Sequence, residues 1–324
     1  SEFSADVPLA WYALFEEIDR YAPGYRPPAA ARALGYIGLA GYEAVVAGMP
    51  KYNSMQNQFS SLSLPAVEPN KEYHWPTAAN AAYAAMLRYF YPHIDQQFIT
   101  RIDALENELQ TKASGQASLE IISRSAKYGK AVAKAVYDWS KTDAAGHEAY
   151  LNPRPTSYIP PSGPGLWKPT SPDFTPALFP YWGQVRTFGM KQNDLLAKPP
   201  LPWSEDPNSP FYNQAKEVKI WVDEIRAGQD EEGHWIAEFW SDDFFQVTFT
   251  PPGRWIAIAN QVVKKEKPSL ETAVELYAKM GMALTDAAIA VWYSKYYYNL
   301  ERPVDFIRRN FDSNWESIMN HPFT

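Results

Sequence analysis

Two cations in this 324-residue chain are spaced so that they could share one oxyanion. Lys295 and Arg302 lie seven residues apart in the stretch 268–303, PSLETAVELYAKMGMALTDAAIAVWYSKYYYNLERP. Read as a single helix, that spacing is about two turns, which puts both side chains on nearly the same face at the C-terminal end. Trp292 sits one turn before Lys295 on that face. Lysine as a compact point charge and arginine as a two-pronged fork, converging beside an aromatic wall, suit a tetrahedral oxyanion. The same two cations would also complement the negative end of the helix dipole, at about 0.3–1 kcal/mol each.

The other chemistry-bearing residues point less sharply. Glu43 stands inside an apolar segment and reads as a paired buried carboxylate more than as a catalytic acid. Lys127, Lys130, Lys134 and Lys141 run along one side of a segment, the usual signature of a solvated face. No G-x-S-x-G, H-E-x-x-H or P-loop string occurs, so serine-hydrolase, zinc-protease and nucleotide-binding readings fail. Cysteine is absent, which excludes disulfides, thiolate metal sites and a cysteine nucleophile; no metal site is expected. A net charge of −7 leaves no basic field for nucleic acid. No run of about 18 uncharged apolar residues is present to span a bilayer.

The elements that must position these residues read as helices. Ser269 is placed to cap the 268–303 helix, with Glu271 in its first turn. Its apolar positions Ala273, Tyr277, Met280, Ala283, Leu284, Ala287, Ala288, Val291 and Trp292 recur at three- and four-residue spacing, predicting one broad buried face on a central helix. The small residues Ala283, Ala287, Ala288 and Ala290 would admit close neighbours. Further helices are predicted over 7–20, 28–48, 76–91, 93–112, 115–141, 211–228, 231–241 and 254–265, with 28–48 in the core. Residues 150–210 hold half of the 28 prolines together with Trp167, Phe174, Phe179, Tyr181, Trp182 and Trp203. A free linker has no use for those aromatics, so this segment is expected to wrap the helices and rim a site within one all-α domain spanning 1–324.

Lys295-x6-Arg302-Pro303, with the tryptophan three residues before the lysine, resembles the first signature of the vanadium-dependent haloperoxidases and the related type 2 phosphatidic acid phosphatase and bacterial acid phosphatase superfamily. The segments ARALGYIGLAGYEAVVAGMP and GLWKPT with ALFPYWGQVRTF are similar to those of bacterial haloperoxidase-like proteins. The resemblance implies an all-α helical bundle in which Lys295 and Arg302 bind vanadate or phosphate oxygens and Trp292 walls the pocket. It also implies an acidic residue after the Phe239-Trp240 pair, matched by Asp242 or Asp243, that supports an arginine of a later signature. An aspartate there could equally cap or turn the chain.

Two further family signatures, one with Ser-Gly-His and one with Ser-Arg-x6-His, are not found. Ser162-Gly163 is followed by proline, and Ser123-Arg124 has no histidine at 131. His74, His93, His147, His234 and His321 all fall outside both patterns. The last residues, His321-Pro322-Phe323-Thr324, look like text preceding the second signature, so the chain reads as the N-terminal part of a haloperoxidase-like protein. The expectation is no catalytic histidine, no tight vanadate binding and no turnover by this polypeptide alone. Its partners would be hydrogen peroxide and halide, or a phosphomonoester if the acid phosphatase reading holds, with a C-terminal fragment or a second copy as the protein partner. The different-class alternative is an exported helical glycan-binding protein, supported by 12 tryptophans and 21 tyrosines. The opening SEFSADV carries no basic-plus-apolar leader, and the aromatic, proline-rich composition favours an extracytoplasmic location.

Overall fold

A computed structural model describes residues 3–241 and 245–318. Among these the regular structure is helical: α1 (Asp6–Tyr21), α2 (Pro27–Glu43), α3 (Trp75–Phe90), α4 (Gln96–Ala113), α5 (Leu119–Lys141), α6 (Pro210–Arg226), α7 (Glu231–Trp240), α8 (Pro251–Glu266), α9 (Leu270–Tyr298) and α10 (Pro303–Asn310), with short 3-10 turns and no strand. Helix starts follow local chemistry. Asp95, Ser118, Ser209, Asp230 and Thr250 each accept a backbone N–H in the first turn of the helix they precede. α8 begins at Pro251, three residues earlier than the periodicity predicts, because prolines in the first turn forfeit no hydrogen bond.

The chain forms two compact units. The first gathers residues from 1–151, 184–191 and 243–289, and the second from 152–183, 192–242 and 290–324; the division falls inside α9 after Ile289. In the first unit α2 is buried along its whole length, as its glycines and alanines predict. A Cβ at Gly38 would lie 2.8 Å from Ala278 Cα, and one at Gly281 would lie 2.3 Å from Leu34 O, so glycine is what lets α2 and α9 cross this closely. Tyr12 stacks on Tyr277 with ring centroids 3.8 Å apart, a pair worth about 0.5–1.5 kcal/mol beyond its buried area. Glu43 is held by Ser54 Oγ at 2.8 Å and Met55 N at 2.6 Å, a hydrogen-bonded structural carboxylate that pairs with no cation among the described residues. Lys134 and Lys141 both pair with Asp138 on the exposed side of α5.

The buried face of α9 differs from the predicted one. Ala273, Val274, Tyr277, Ala278, Gly281, Thr285 and Ile289 are buried, whereas Ala283, Ala287 and Val291 are exposed. The close approach comes through Ala278 and Gly281, so α9 is a half-covered helix and not a fully central one. Asp286 carries the polar consequence: its carboxylate accepts the N–H groups of Phe188, Gly189 and Met190 at 2.7, 2.7 and 2.8 Å. In the second unit, Val222 of α6, Val304 and Ile307 of α10, and Trp315 make a small core. α10 has no counterpart among the predicted helices. α7 buries none of its ten residues and exposes Trp235 and Trp240.

Candidate functional site

The site is built where α9 ends, within the second unit. α9 stops at Tyr298, short of the predicted 268–303 span, because Asn299 takes a left-handed backbone (φ 43°) and returns its N–H to Lys295 O at 3.0 Å. The chain then runs extended, pairing Leu166 with Leu300 in an isolated antiparallel bridge, while Glu301 N donates to Gly165 O at 2.9 Å. Arg302 is the residue before α10, in extended backbone, with Pro303 opening that helix. Lys295 and Arg302 therefore do not share a helix face. A capped helix end, a short extended link and a second helix start bring them to one cavity instead.

That frame is fixed by hydrogen bonds from the proline-rich segment. Trp292 Nε1 donates to Leu178 O at 3.0 Å and Tyr296 Oη to the same oxygen at 2.6 Å. Ser294 Oγ accepts from Ala197 N at 2.9 Å and donates to Leu195 O at 3.1 Å, and Tyr298 Oη donates to Ala197 O at 2.6 Å. Next to Arg302, buried Glu301 accepts Trp203 Nε1 at 2.9 Å and both terminal nitrogens of Arg309 at 2.5 and 2.9 Å. Residues 178, 195, 197 and 203 of the segment thus hold the end of α9 and the link that follows it.

The cavity measures about 480 Å³. Among the described residues its charged lining groups are Lys198, Lys295 and Arg302, all cations, and no carboxylate or histidine lines it. Lys295 Nζ lies 4.6 Å from the centroid of the Trp292 ring. Trp292 does not line the cavity; it is buried beneath Lys295 and holds the ammonium by its ring face. Burial, then the Arg302 and Arg154 guanidiniums, push the Lys295 amine down to about 7. Burial likewise lowers Arg302. Crowded, partly desolvated cations are stabilised by an anion among them, so the residues present fit the oxygen-binding side of a vanadate or phosphate site.

Several sequence candidates fall elsewhere. Asp242, Asp243 and His321 lie outside the described residues. His74 is buried between Thr77 Oγ1 at 2.7 Å and Gln116 Oε1 at 3.0 Å, and His234 faces Glu238 at 3.4 Å on exposed α7. Arg124 of the Ser-Arg pair binds Glu120 at 2.9 Å and Glu72 O. Sequence reasoning missed Lys198 and Arg154, which sit in irregular chain where no periodicity marks a facing direction.

Residues 275–317, which include Trp292, Lys295 and Arg302, match the family described as VCPO second helical-bundle domain. No curated protein matches the chain. Among solved structures it is similar to the first bacterial vanadium-dependent iodoperoxidase, with 27% identity and a TM-score of 0.86 over 99% of this chain and 76% of that one. It also resembles a bacterial vanadium-dependent chloroperoxidase. The holo form has 17% identity and a TM-score of 0.53, covering 90% of this chain and 66% of that one. The apo form gives the same identity and score over 91% and 69%. With the cation pair inside the matched family segment and the iodoperoxidase likeness running through nearly the whole chain, this protein has the vanadium haloperoxidase-like fold.

Proposed function

We propose that this chain supplies the cationic half of a vanadate site in a haloperoxidase-related protein that oxidises halide with hydrogen peroxide. The observation that carries the reading is a cavity whose charged lining groups, among the described residues, are all cations, with Lys295 pressed against the Trp292 ring. Lys295 and Arg302 would hold the oxyanion, Arg302 by a paired fork and Lys295 by a single charge-assisted bond. Fixed in place by the α9 cap and the Glu301–Arg309 pair, they stabilise negative charge without reorganising at the moment of reaction. Bound vanadate supplies the Lewis acidity that activates hydrogen peroxide toward halide. The likeness to the iodoperoxidase supports this reading over a glycan-binding one, which gives the two cations no joint role.

No histidine of the described chain reaches the cavity, so residues 1–324 alone are expected to bind vanadate weakly, at about millimolar, and not to turn over. Equilibrium dialysis with orthovanadate tests this. Weak binding that disappears in Lys295→Met and Arg302→Gln supports the assignment. Saturable micromolar binding by this polypeptide overturns the half-site reading, and binding indifferent to both substitutions overturns the oxyanion site itself.

A further inference from the structure

A second cavity, of about 400 Å³, lies in the first unit between α5 and the loop that leads into α3. That volume is in the range of small organic ligands. Its α5 wall carries Glu120, Ser123, Arg124, Lys127 and Ala131, whose three- and four-residue spacing puts them on one helix face. The facing wall is Pro65, Ala66, Glu68 and Tyr73. The two walls are locked together. Arg124 donates to Glu72 O at 3.1 and 2.9 Å and to Glu120 Oε1 at 2.9 Å, and Tyr73 Oη accepts Glu68 N at 3.0 Å. Tyr73 also stacks on Trp75 with ring centroids 5.3 Å apart and packs edge-to-face with Tyr128 at 5.5 Å, which gives the cavity a rigid aromatic lining. A cavity held by its own walls costs a ligand little ordering.

The polar groups of these walls are unspent. Among the described residues, the Glu68 carboxylate, the Ser123 hydroxyl, the Lys127 ammonium and the Tyr128 hydroxyl have no hydrogen-bond or ionic partner within the chain. Arg124 is answered by Glu120, so the free charges are one carboxylate and one ammonium, which cancel. An anion entering here meets Glu68 and a cation meets Lys127, and neither gains from the local field. A neutral ligand rich in hydroxyls satisfies both groups, donating to the carboxylate and accepting from the ammonium, while its C–H face covers aromatic carbon.

We propose that this cavity binds a neutral sugar. The site is separate from the oxyanion reading and leaves Lys295 and Arg302 their role. It also sets Lys127 apart from the other lysines of α5: Lys134 and Lys141 pair with Asp138, whereas Lys127 lines the cavity.

Titration of this chain with the methyl glycosides of glucose, galactose, mannose and fucose, followed by ligand-observed saturation-transfer NMR, tests the site. At least one glycoside is expected to bind with a Kd of about 1 mM. Glu68→Gln and Lys127→Met should each weaken it about tenfold, the loss of one charge-assisted hydrogen bond. Lys130→Met, on α5 but outside the cavity, should leave it unchanged; all three positions are exposed, so none of these substitutions endangers the fold. Glycine, a zwitterion that matches the same two charges, and sulfate are the competing classes. If either binds more tightly than every glycoside and is lost in Lys127→Met, the sugar assignment is overturned. Absence of saturable glycoside binding up to about 100 mM overturns the site, as does binding indifferent to both Glu68→Gln and Lys127→Met.

Discussion

Lys295 is the residue whose protonation sets what the cavity can hold. Because burial and the two guanidiniums bring its amine down to about 7, it loses its charge in a range where ordinary lysines keep theirs. Sulfate is a suitable probe, since it stays a dianion while phosphate itself titrates near neutrality. Sulfate affinity is expected to fall about tenfold as the pH rises from 6 to 9, the loss of one charge-assisted hydrogen bond. A bound dianion favours the ammonium, so binding above pH 7 should also take up a proton, visible as a dependence of calorimetric heat on the buffer's ionisation enthalpy. Lys295→Met should bind weakly at all pH values with no proton uptake; a pH-dependent wild type matched by an equally pH-dependent variant would assign the titration elsewhere. Lys295 and Arg302 were legible as a pair because lysine and arginine with the same spacing and a following proline recur in a known family. Arg154, whose charge helps depress Lys295, was not legible, since its direction is set by the irregular path of residues 152–183 and not by any repeat.

At the scale of elements, the cap at Asn299 decides where Arg302 goes. A helix continued to Arg302 would have kept the chain rising at about 1.5 Å per residue, with no return toward residues 165–166. The left-handed turn lets Leu300 and Glu301 pair with Leu166 and Gly165 instead. Asn299→Gly should cost a few tenths of a kcal/mol, because glycine adopts this backbone freely. Asn299→Val should cost about 1–2 kcal/mol in urea unfolding and weaken sulfate binding, since a β-branched residue resists positive φ. Equal urea midpoints for the two variants would show that backbone handedness is not what ends α9. The sequence signals this end faintly: Pro303 announces a break, and asparagine tolerates the left-handed region, yet Tyr296-Tyr297-Tyr298-Asn299-Leu300 reads as continuous helix by its apolar spacing. α10 escaped for a related reason. Eight residues give too few turns for a period to stand out, and its apolar Val304 and Ile307 become a face only once Val222 and Trp315 are beside them. Long helices with capping residues were legible; the bridges between them, which build the cavity, depend on partners far away in the chain.

At the scale of the whole molecule, each unit carries a buried group whose titration is displaced to about 7, and the two act in opposite directions. In the first unit Asp19 is buried and accepts Thr250 N at 2.6 Å and Thr250 Oγ1 at 2.9 Å, tying α1 to the start of α8. Burial, only partly offset by those bonds, raises its carboxyl to about 7 from an ordinary 3.8. Below pH 4 it is protonated folded or unfolded. Between about 4 and about 7 only the folded chain keeps the proton, so the first unit loses stability as the pH rises through that window, by roughly 2–4 kcal/mol. In the second unit Lys295 is charged in both states below about 7. From there to about 10.5 only the unfolded chain keeps the proton, so stability rises with pH. A single melting curve would blend these trends, because two units need not unfold as one. Hydrogen exchange read peptide by peptide, after correction for the intrinsic pH dependence, keeps them apart. Protection of α1 and the first turns of α8 should fall from pH 5 to 7.5 and stay flat in Asp19→Asn, while protection around 290–298 should rise from pH 7 to 9 and stay flat in Lys295→Met. If instead both regions gained or lost protection together across the whole range, the two buried groups would be titrating within one cooperative fold, and the opposition between them would have to appear as a stability minimum near pH 7 shared by every peptide.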